Sequence, residues 1–353
     1  MNWQIFLGWR FVLVFLISCA LLRQFLPNLN DPLYHLRAFT SVGNAIALLI
    51  LSGYATASSI TKNTEGFYKR RFIRIYPLYL CAILVALLPF LFFGNYIEPL
   101  HDKQYPIIPP KIETFFAYLF LVPGFVGDVF WSNAFIWLVG ILAVGYLFAP
   151  WLIRVNTKVI LALIVLSGLL YIVTPYVYYI WWEGKAQFSL ALLGQLWHQK
   201  DKLPYYPFLG YNLLFFLHAW TWLLGFFYFR EQDKLSAKIL LLAGSLMLIL
   251  NQDRTGMLSL AIYFITCFVL MFGGKIELPR LPGKICEYLG AIAYPFFLFH
   301  RPTYIFAYKL GITTSATLVF LALLVGMFFY HAVDIPVRSR MLAGKKIIAP
   351  QGE

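Results

Sequence analysis

The sequence predicts an all-α integral membrane protein, a bundle of about ten transmembrane helices with both termini cytoplasmic. Three observations carry this reading. Of 353 residues, 61% are hydrophobic, 19% aromatic and only 12% charged, with a mean hydropathy of +0.74. A soluble domain carries about 25% charged and about 45–50% apolar residues, so the surplus apolar surface has to face lipid. The apolar residues also fall into runs of span length, and Lys and Arg crowd into alternate gaps between those runs.

Windows of about 19 residues pick out ten apolar segments, near residues 9–27, 42–60, 75–94, 131–153, 158–182, 207–229, 236–250, 254–273, 286–307 and 314–333. The first runs on past Cys19 through Leu22. It is therefore read as a retained span, although Leu16-Ile17-Ser18-Cys19 has the look of a lipoprotein cleavage box. Gly43 and Gly53 in the second suit close helix packing, as do Gly140, Gly145, Gly225 and Gly290 in later spans. The third follows a basic run. Phe115 to Val122, between Pro109-Pro110 and Pro123, is too short to span and is read as an interfacial or re-entrant piece. The seventh is short and carries Gly244, which fits a tilted helix or a thin patch of bilayer. The ninth contains Pro295 and Pro302, which loosen a helix and free carbonyls. The longest polar gaps, 95–130 and 183–206, leave no room for a soluble domain, so 1–341 is read as one membrane domain and 342–353 as a short cytoplasmic tail.

Orientation follows from the basic residues. One set of alternate gaps holds 17 of the 28 Lys and Arg in short loops, and the other holds eight over a longer total length. Positive residues hold loops on the cytoplasmic side, which places both termini there. The net charge of +13 does not indicate nucleic acid, because the basic residues are spread over short gaps rather than gathered on one water-facing surface. Cys19, Cys81, Cys267 and Cys286 lie in or beside apolar runs, with neither zinc-site spacing nor a legible disulfide framework, so no metal is expected.

An ionisable residue at a span centre costs about 2.5–3.5 kcal/mol on the insertion scale and calls for a partner or a wet cavity. Few qualify: Arg10 at the start of span one, His218 in span six, His300 and Arg301 in span nine, and His331 and Asp334 at the end of span ten. The basic run Lys69, Arg70, Arg71 and Arg74 leads into span three. Arg71 and Arg74, three apart, share a helical face and could clamp a phosphate or pyrophosphate; equally, the run could only anchor the loop. His300 lies some 14 residues past the start of its span, about 21 Å deep at about 1.5 Å per residue. It could be a general base for a hydroxyl, or a neutral imidazole bonded between helices. Arg301 could snorkel outward or pair with an acid.

The motifs then resemble a known family. Gly8-Trp9-Arg10 is similar to a Gly-x-Arg opening, Leu51-Ser52-Gly53-Tyr54 to Leu-Ser-Gly-Phe, and Arg71 to Tyr79 to an Arg-x-x-Arg-Ile-Tyr-Pro segment. Trp131-Ser132 is similar to Trp-Ser-Leu, Tyr294-Pro295 with His300 and Pro302 to Tyr-Pro-x-Tyr-Leu-x-His-x-Pro, and Val333-Asp334-Ile335-Pro336 to Val-Glu-x-Pro. In this order, from Gly8 to Met341, they resemble acyltransferase family 3. These are ten-span membrane proteins that move an acetyl or other acyl group from cytoplasmic acyl-CoA to a hydroxyl of an extracytoplasmic glycan or glycolipid.

The resemblance implies that Arg71 and Arg74, with Arg70 and Lys69 beside them, hold the phosphates of acyl-CoA, acetyl-CoA first among the donors. Arg10 would belong to a catalytic first span. It implies polysaccharide or glycolipid O-acylation at a bacterial inner membrane, with membrane lipid and no nucleic acid as further surroundings. Two departures stand out. Leu21 occupies the position of the family's span-one His, and Ile136 that of an acid five residues after the Trp. Leucine cannot deprotonate a hydroxyl, so His300 is the first candidate for a substitute base, followed by His35 and His218. A non-enzymatic relative that transports a glycan or lipid, or partners an export or synthesis complex, is the alternative implied by the two losses.

Overall fold

A chain inside lipid has no water to satisfy its peptide groups, so spanning segments close their hydrogen bonds internally. All ten apolar runs accordingly carry helix. The computed structural model describes residues 2–22, 25, 26, 31, 33, 35, 36, 41–100, 103–107, 109–122, 130–182, 214–250 and 252–343. In chain order the helices are α1 (Trp3–Leu22), α2 (Ser41–Lys62), α3 (Phe67–Phe93), α4 (Ile112–Leu119), α5 (Trp137–Leu152) and α6 (Thr157–Trp182). There follow α7 (Leu214–Glu231), α8 (Leu235–Ala243), α9 (Ser245–Leu250), α10 (Gln252–Phe272), α11 (Arg280–Lys309), α12 (Ser315–Phe329) and α13 (Ile335–Ala343). By length and composition, five stretches are long and apolar enough to cross a membrane: Trp3–Leu22, Val42–Lys62, Phe67–Phe93, Leu258–Lys275 and Ser315–Met341.

The expectation of an all-α chain needs one amendment. Strands β1 (Tyr96–Leu100) and β2 (Lys103–Ile107) form an antiparallel hairpin between α3 and α4, with Tyr96 opposite Ile107. Its residues lie in a polar gap, where no apolar alternation announced it. The short apolar piece is α4, eight residues with Thr114, Ala117 and Tyr118 buried and Ile112, Phe116 and Phe120 exposed. The seventh run is two short helices parted at Gly244, where a Cβ would collide with the Tyr263 hydroxyl. Residues 207–213 of the sixth run lie outside the described residues.

Two close helix pairings organise the core. At Gly53 and Gly225, α2 and α7 meet backbone to backbone: a Cβ on Gly53 would strike the Trp222 carbonyl, and one on Gly225 the Ile50 carbonyl. Small residues permit such approach, which is how helices gain packing where lipid offers no hydrophobic incentive. The second pairing sets α1 and α12 against α11, with Gly290 lying on Leu7 and Gly326 so close to α11 that a Cβ there would come within 2.9 Å of the Phe296 Cα.

Helix α11 is 30 residues long, about 45 Å, and is interrupted by its own prolines. Pro302 has no N–H for the Leu298 carbonyl one turn back. Asn133 replaces it, its Nδ2 donating to that carbonyl at 2.8 Å. Asn133 sits in the 3-10 turn Trp131–Ile136 ahead of α5, and neighbouring Ser132 donates to the Ala86 carbonyl of α3 at 2.6 Å. One short turn therefore fastens α3 to α11.

Candidate functional site

The N-terminal ends of α1, α3 and α11 and the C-terminal ends of α2 and the α12–α13 unit gather at one end of the bundle around a cavity of about 530 Å³. Five cationic side chains line it, Arg10, Lys62, Arg71, Arg74 and Arg338, against one carboxylate, Glu287. That carboxylate accepts from Gln4 Nε2 at 3.0 Å. Among the described residues no acid forms an ion pair with Arg10, Arg71 or Arg74. Further in, the wall turns apolar with Val14, Leu48, Leu138, Leu142 and Phe297. A positive mouth above an apolar neck suits a ligand with an anionic head and an uncharged arm.

Each cation is held by the local sequence. Arg71 and Arg74 lie on one face of α3 by their three-residue spacing, and both reach the cavity. The Arg71 guanidinium lies over the rings of Tyr146 (4.9 Å) and Phe67 (5.4 Å), which fixes its plane without neutralising it. Tyr146 is itself within 3.3 Å of the Ser52 hydroxyl of the Leu-Ser-Gly-Tyr segment. Arg70 is drawn away: its guanidinium donates to the Glu65 and Asn63 carbonyls of the preceding loop. Lys69, two residues from Arg71 and so on a different face, is exposed and does not line the cavity.

Arg10 Nη2 donates to the Gly290 carbonyl of α11, while its Nε is buried without a hydrogen-bond partner. Gly8 packs on Cys286, and Trp9 Nε1 donates to Thr266 at 2.9 Å, so the Gly-Trp-Arg opening seats α1 on α10 and α11. Tyr294 Oη donates to the Ile75 carbonyl at 3.2 Å and joins α11 to α3 beside the same cavity.

His300 does not line the cavity. It lies one turn beyond Phe297, in the opposite half of the bundle, wholly buried among Phe135, Phe296, Phe297 and Tyr304. Its Nδ1 is 2.6 Å from the Phe297 carbonyl. A carbonyl only accepts, so Nδ1 carries the proton and Nε2 presents its lone pair. That Nε2 is buried with no partner. One layer further, the Ser18 and Tyr304 hydroxyls bond to each other.

The remaining candidates take other places. Arg301 is buried at 1% exposure and does not snorkel. His218 is buried between the Trp137 and Tyr171 rings, and His35 is exposed. Leu21 and Ile136 are buried apolar residues, at 3% and 0%. Sequence reasoning missed Arg338, Lys62, Trp3 and Tyr146 as cavity residues. The signal for Arg338 was its four-residue spacing from Asp334, which puts the two side chains on one helical face.

The family model described as "Acyltransferase domain" matches residues 9–330, nearly the whole chain. Comparison with curated proteins gave no match, nor did comparison with solved structures. Arg10, Arg71, Arg74 and His300 fall within the matched residues and Arg338 lies just beyond them, and the chain belongs to acyltransferase family 3, membrane enzymes that transfer acyl groups other than aminoacyl groups.

Proposed function

We propose that the protein is a ten-span O-acyltransferase of a bacterial inner membrane, with both termini cytoplasmic. It would move an acyl group, acetyl first among them, from acyl-CoA to a hydroxyl of a surface polysaccharide or glycolipid. The observation that carries this reading is the cavity, where four guanidinium groups and Lys62 face a single carboxylate above an apolar neck. Arg71 and Arg74 hold phosphate oxygens, and guanidinium forks suit them by geometry and by charge. The neck admits the uncharged pantetheine arm toward Phe297.

The half beyond Phe297 serves the acceptor. His300 Nε2 takes the proton of the acceptor hydroxyl as its oxygen attacks the thioester carbonyl. The new C–O bond forms, the C–S bond breaks, and the thiolate leaves toward the cavity. Arg10, within electrostatic reach of Arg71 and Arg74, adds its charge to the phosphate site. Leu21 lies eleven residues, about 16 Å, along α1 from Arg10. His300 supplies the base that this position lacks.

Acyl-CoA binding to purified protein tests the reading. Wild type is expected to bind, and Arg71→Ala and Arg74→Ala each to weaken binding at least tenfold, since a bond between charged partners is worth about 1.5–3 kcal/mol. No binding by wild type at physiological concentration would move the reading to a carrier of glycan or lipid.

A further inference from the structure

We propose that Arg338, presented by the C-terminal helix α13, is a ligand for the diphosphate of the acyl-CoA, and that Asp334 is its positioning residue. The assignment rests on the reading of the cavity as the donor site. Arg338 lines the cavity from α13, whereas Arg10 comes from α1 and Arg71 and Arg74 from α3. Its place depends on the chain just before it, where Tyr330–Asp334 forms a π-helical turn between α12 and α13. Such turns hold one residue more than an α-turn, which resets the face that the following residues present.

Asp334 is 2% exposed, and its Oδ2 lies 2.6 Å from Arg338 Nη2. The pair is not a surface ornament, because the carboxylate is inside the protein and Arg338 is its ion-pair partner among the described residues. The guanidinium is not consumed by this contact: Arg338 Nε is buried with no hydrogen-bond partner. Arg338 also lies within electrostatic reach of Arg10, Arg74 and Tyr294. A cation held by a buried acid beside two others, with a donor left over, is arranged for an anion that all of them share.

The diphosphate is the group selected. It joins the pantetheine arm, so it must sit nearest the apolar neck, where Arg10 and Arg74 stand with Arg338. Lys62 also lines the cavity, with its Nζ 5.9 Å from the Trp3 ring. That arrangement suits the nucleoside end and its 3′-phosphate.

Calorimetric titration of the purified full-length protein with CoA and with 3′-dephospho-CoA tests the assignment. Arg338→Gln is expected to weaken both by the same factor, roughly tenfold or more. Arg338→Lys, which keeps the charge and loses the fork, should lie between. Asp334→Asn should weaken both ligands about twofold to fivefold in the wild-type background and not at all beside Arg338→Gln, since residues acting through one contact are not additive. Asp334→Glu should restore affinity. Equal affinity in Arg338→Gln and wild type would overturn the assignment, as would a loss confined to CoA, which would put Arg338 on the 3′-phosphate. Equal losses for Asp334→Asn in both backgrounds would overturn its positioning role. If wild type binds neither ligand, the donor-site reading falls and this assignment with it; binding by wild type that Arg338→Gln matches overturns this assignment alone.

Discussion

The two halves of the bundle solve opposite problems. The cavity end brings together four guanidinium groups that repel one another, and leaves Arg10 Nε and Arg338 Nε without partners. In the half beyond Phe297 uncharged polar groups answer one another, although Asn133 Oδ1 and His300 Nε2 have no hydrogen-bond partner. Leu298, deprived of a donor by Pro302, receives one from Asn133; Ser18 and Tyr304 bond to each other; rings enclose His300. Charge without partners is costly to fold around, and on the proposed reading a phosphate-bearing ligand offsets that cost. Matched polar groups contribute to folding, and on the proposed reading this half presents one reactive atom, His300 Nε2.

His300→Ala has the largest expected effect and would break the comparison if it failed. General-base catalysis contributes about 10²–10⁴-fold. Acyl transfer in membranes should fall by that much while CoA affinity stays within twofold, because His300 lies outside the cavity wall. A variant that lost donor binding along with activity would show that the halves are not separable. Undiminished transfer in this variant would remove His300 from the base role and turn attention to His35 and His218.

The cavity half was the more legible of the two in the sequence. Arg71 and Arg74 share a face by spacing alone, and Arg10 was visible as a charge at the start of an apolar run. Arg338 was counted among cytoplasmic loop charges, because the fold brings the chain end back over α3 through a π-helical turn that periodicity does not reveal. The basic run also misled in detail, since nothing local says that Arg70 turns back onto loop carbonyls while its neighbour Arg71 turns inward. In the other half His300 was legible by its depth. Its tautomer was not, since that depends on the Phe297 carbonyl. The Asn133 clamp was half-written: prolines announced freed carbonyls, but which side chain would answer Pro302 is a tertiary fact.

A smaller effect tests one polar pair of the second half directly. Ser18 and Tyr304 are both buried, and each is a bonding partner of the other. Ser18→Ala strands the Tyr304 hydroxyl in an apolar layer, at a cost of about 1–3 kcal/mol. Tyr304→Phe leaves a serine that can turn to the carbonyl one helical turn back, at a cost of about 0.5–1.5 kcal/mol. Thermal melts in detergent should therefore rank Ser18→Ala below Tyr304→Phe. The double variant should lie near Tyr304→Phe alone. Equal and additive losses would mean that packing, not the mutual hydrogen bond, holds this layer.

The smallest expected effect has the opposite sign and sharpens the comparison most. Arg74 is within electrostatic range of Arg10, Arg71 and Arg338, and of one acid, Asp334. Replacing it by Gln removes three repulsions and one attraction. Melting of the protein without ligand should then rise slightly, on the order of 1 °C, since an exposed charge contributes little after screening. Saturating CoA should raise the melting temperature of wild type, because a ligand that binds only the folded state stabilises it by mass action. The same addition should raise Arg74→Gln less, a tenfold loss of affinity removing about 1.4 kcal/mol of that stabilisation. A gain in stability coupled to a loss of ligand response is what a binding site built from mutual repulsion requires. A variant that melted lower without ligand would show instead that Arg74 holds the fold, and the contrast between the two halves would lose its physical basis.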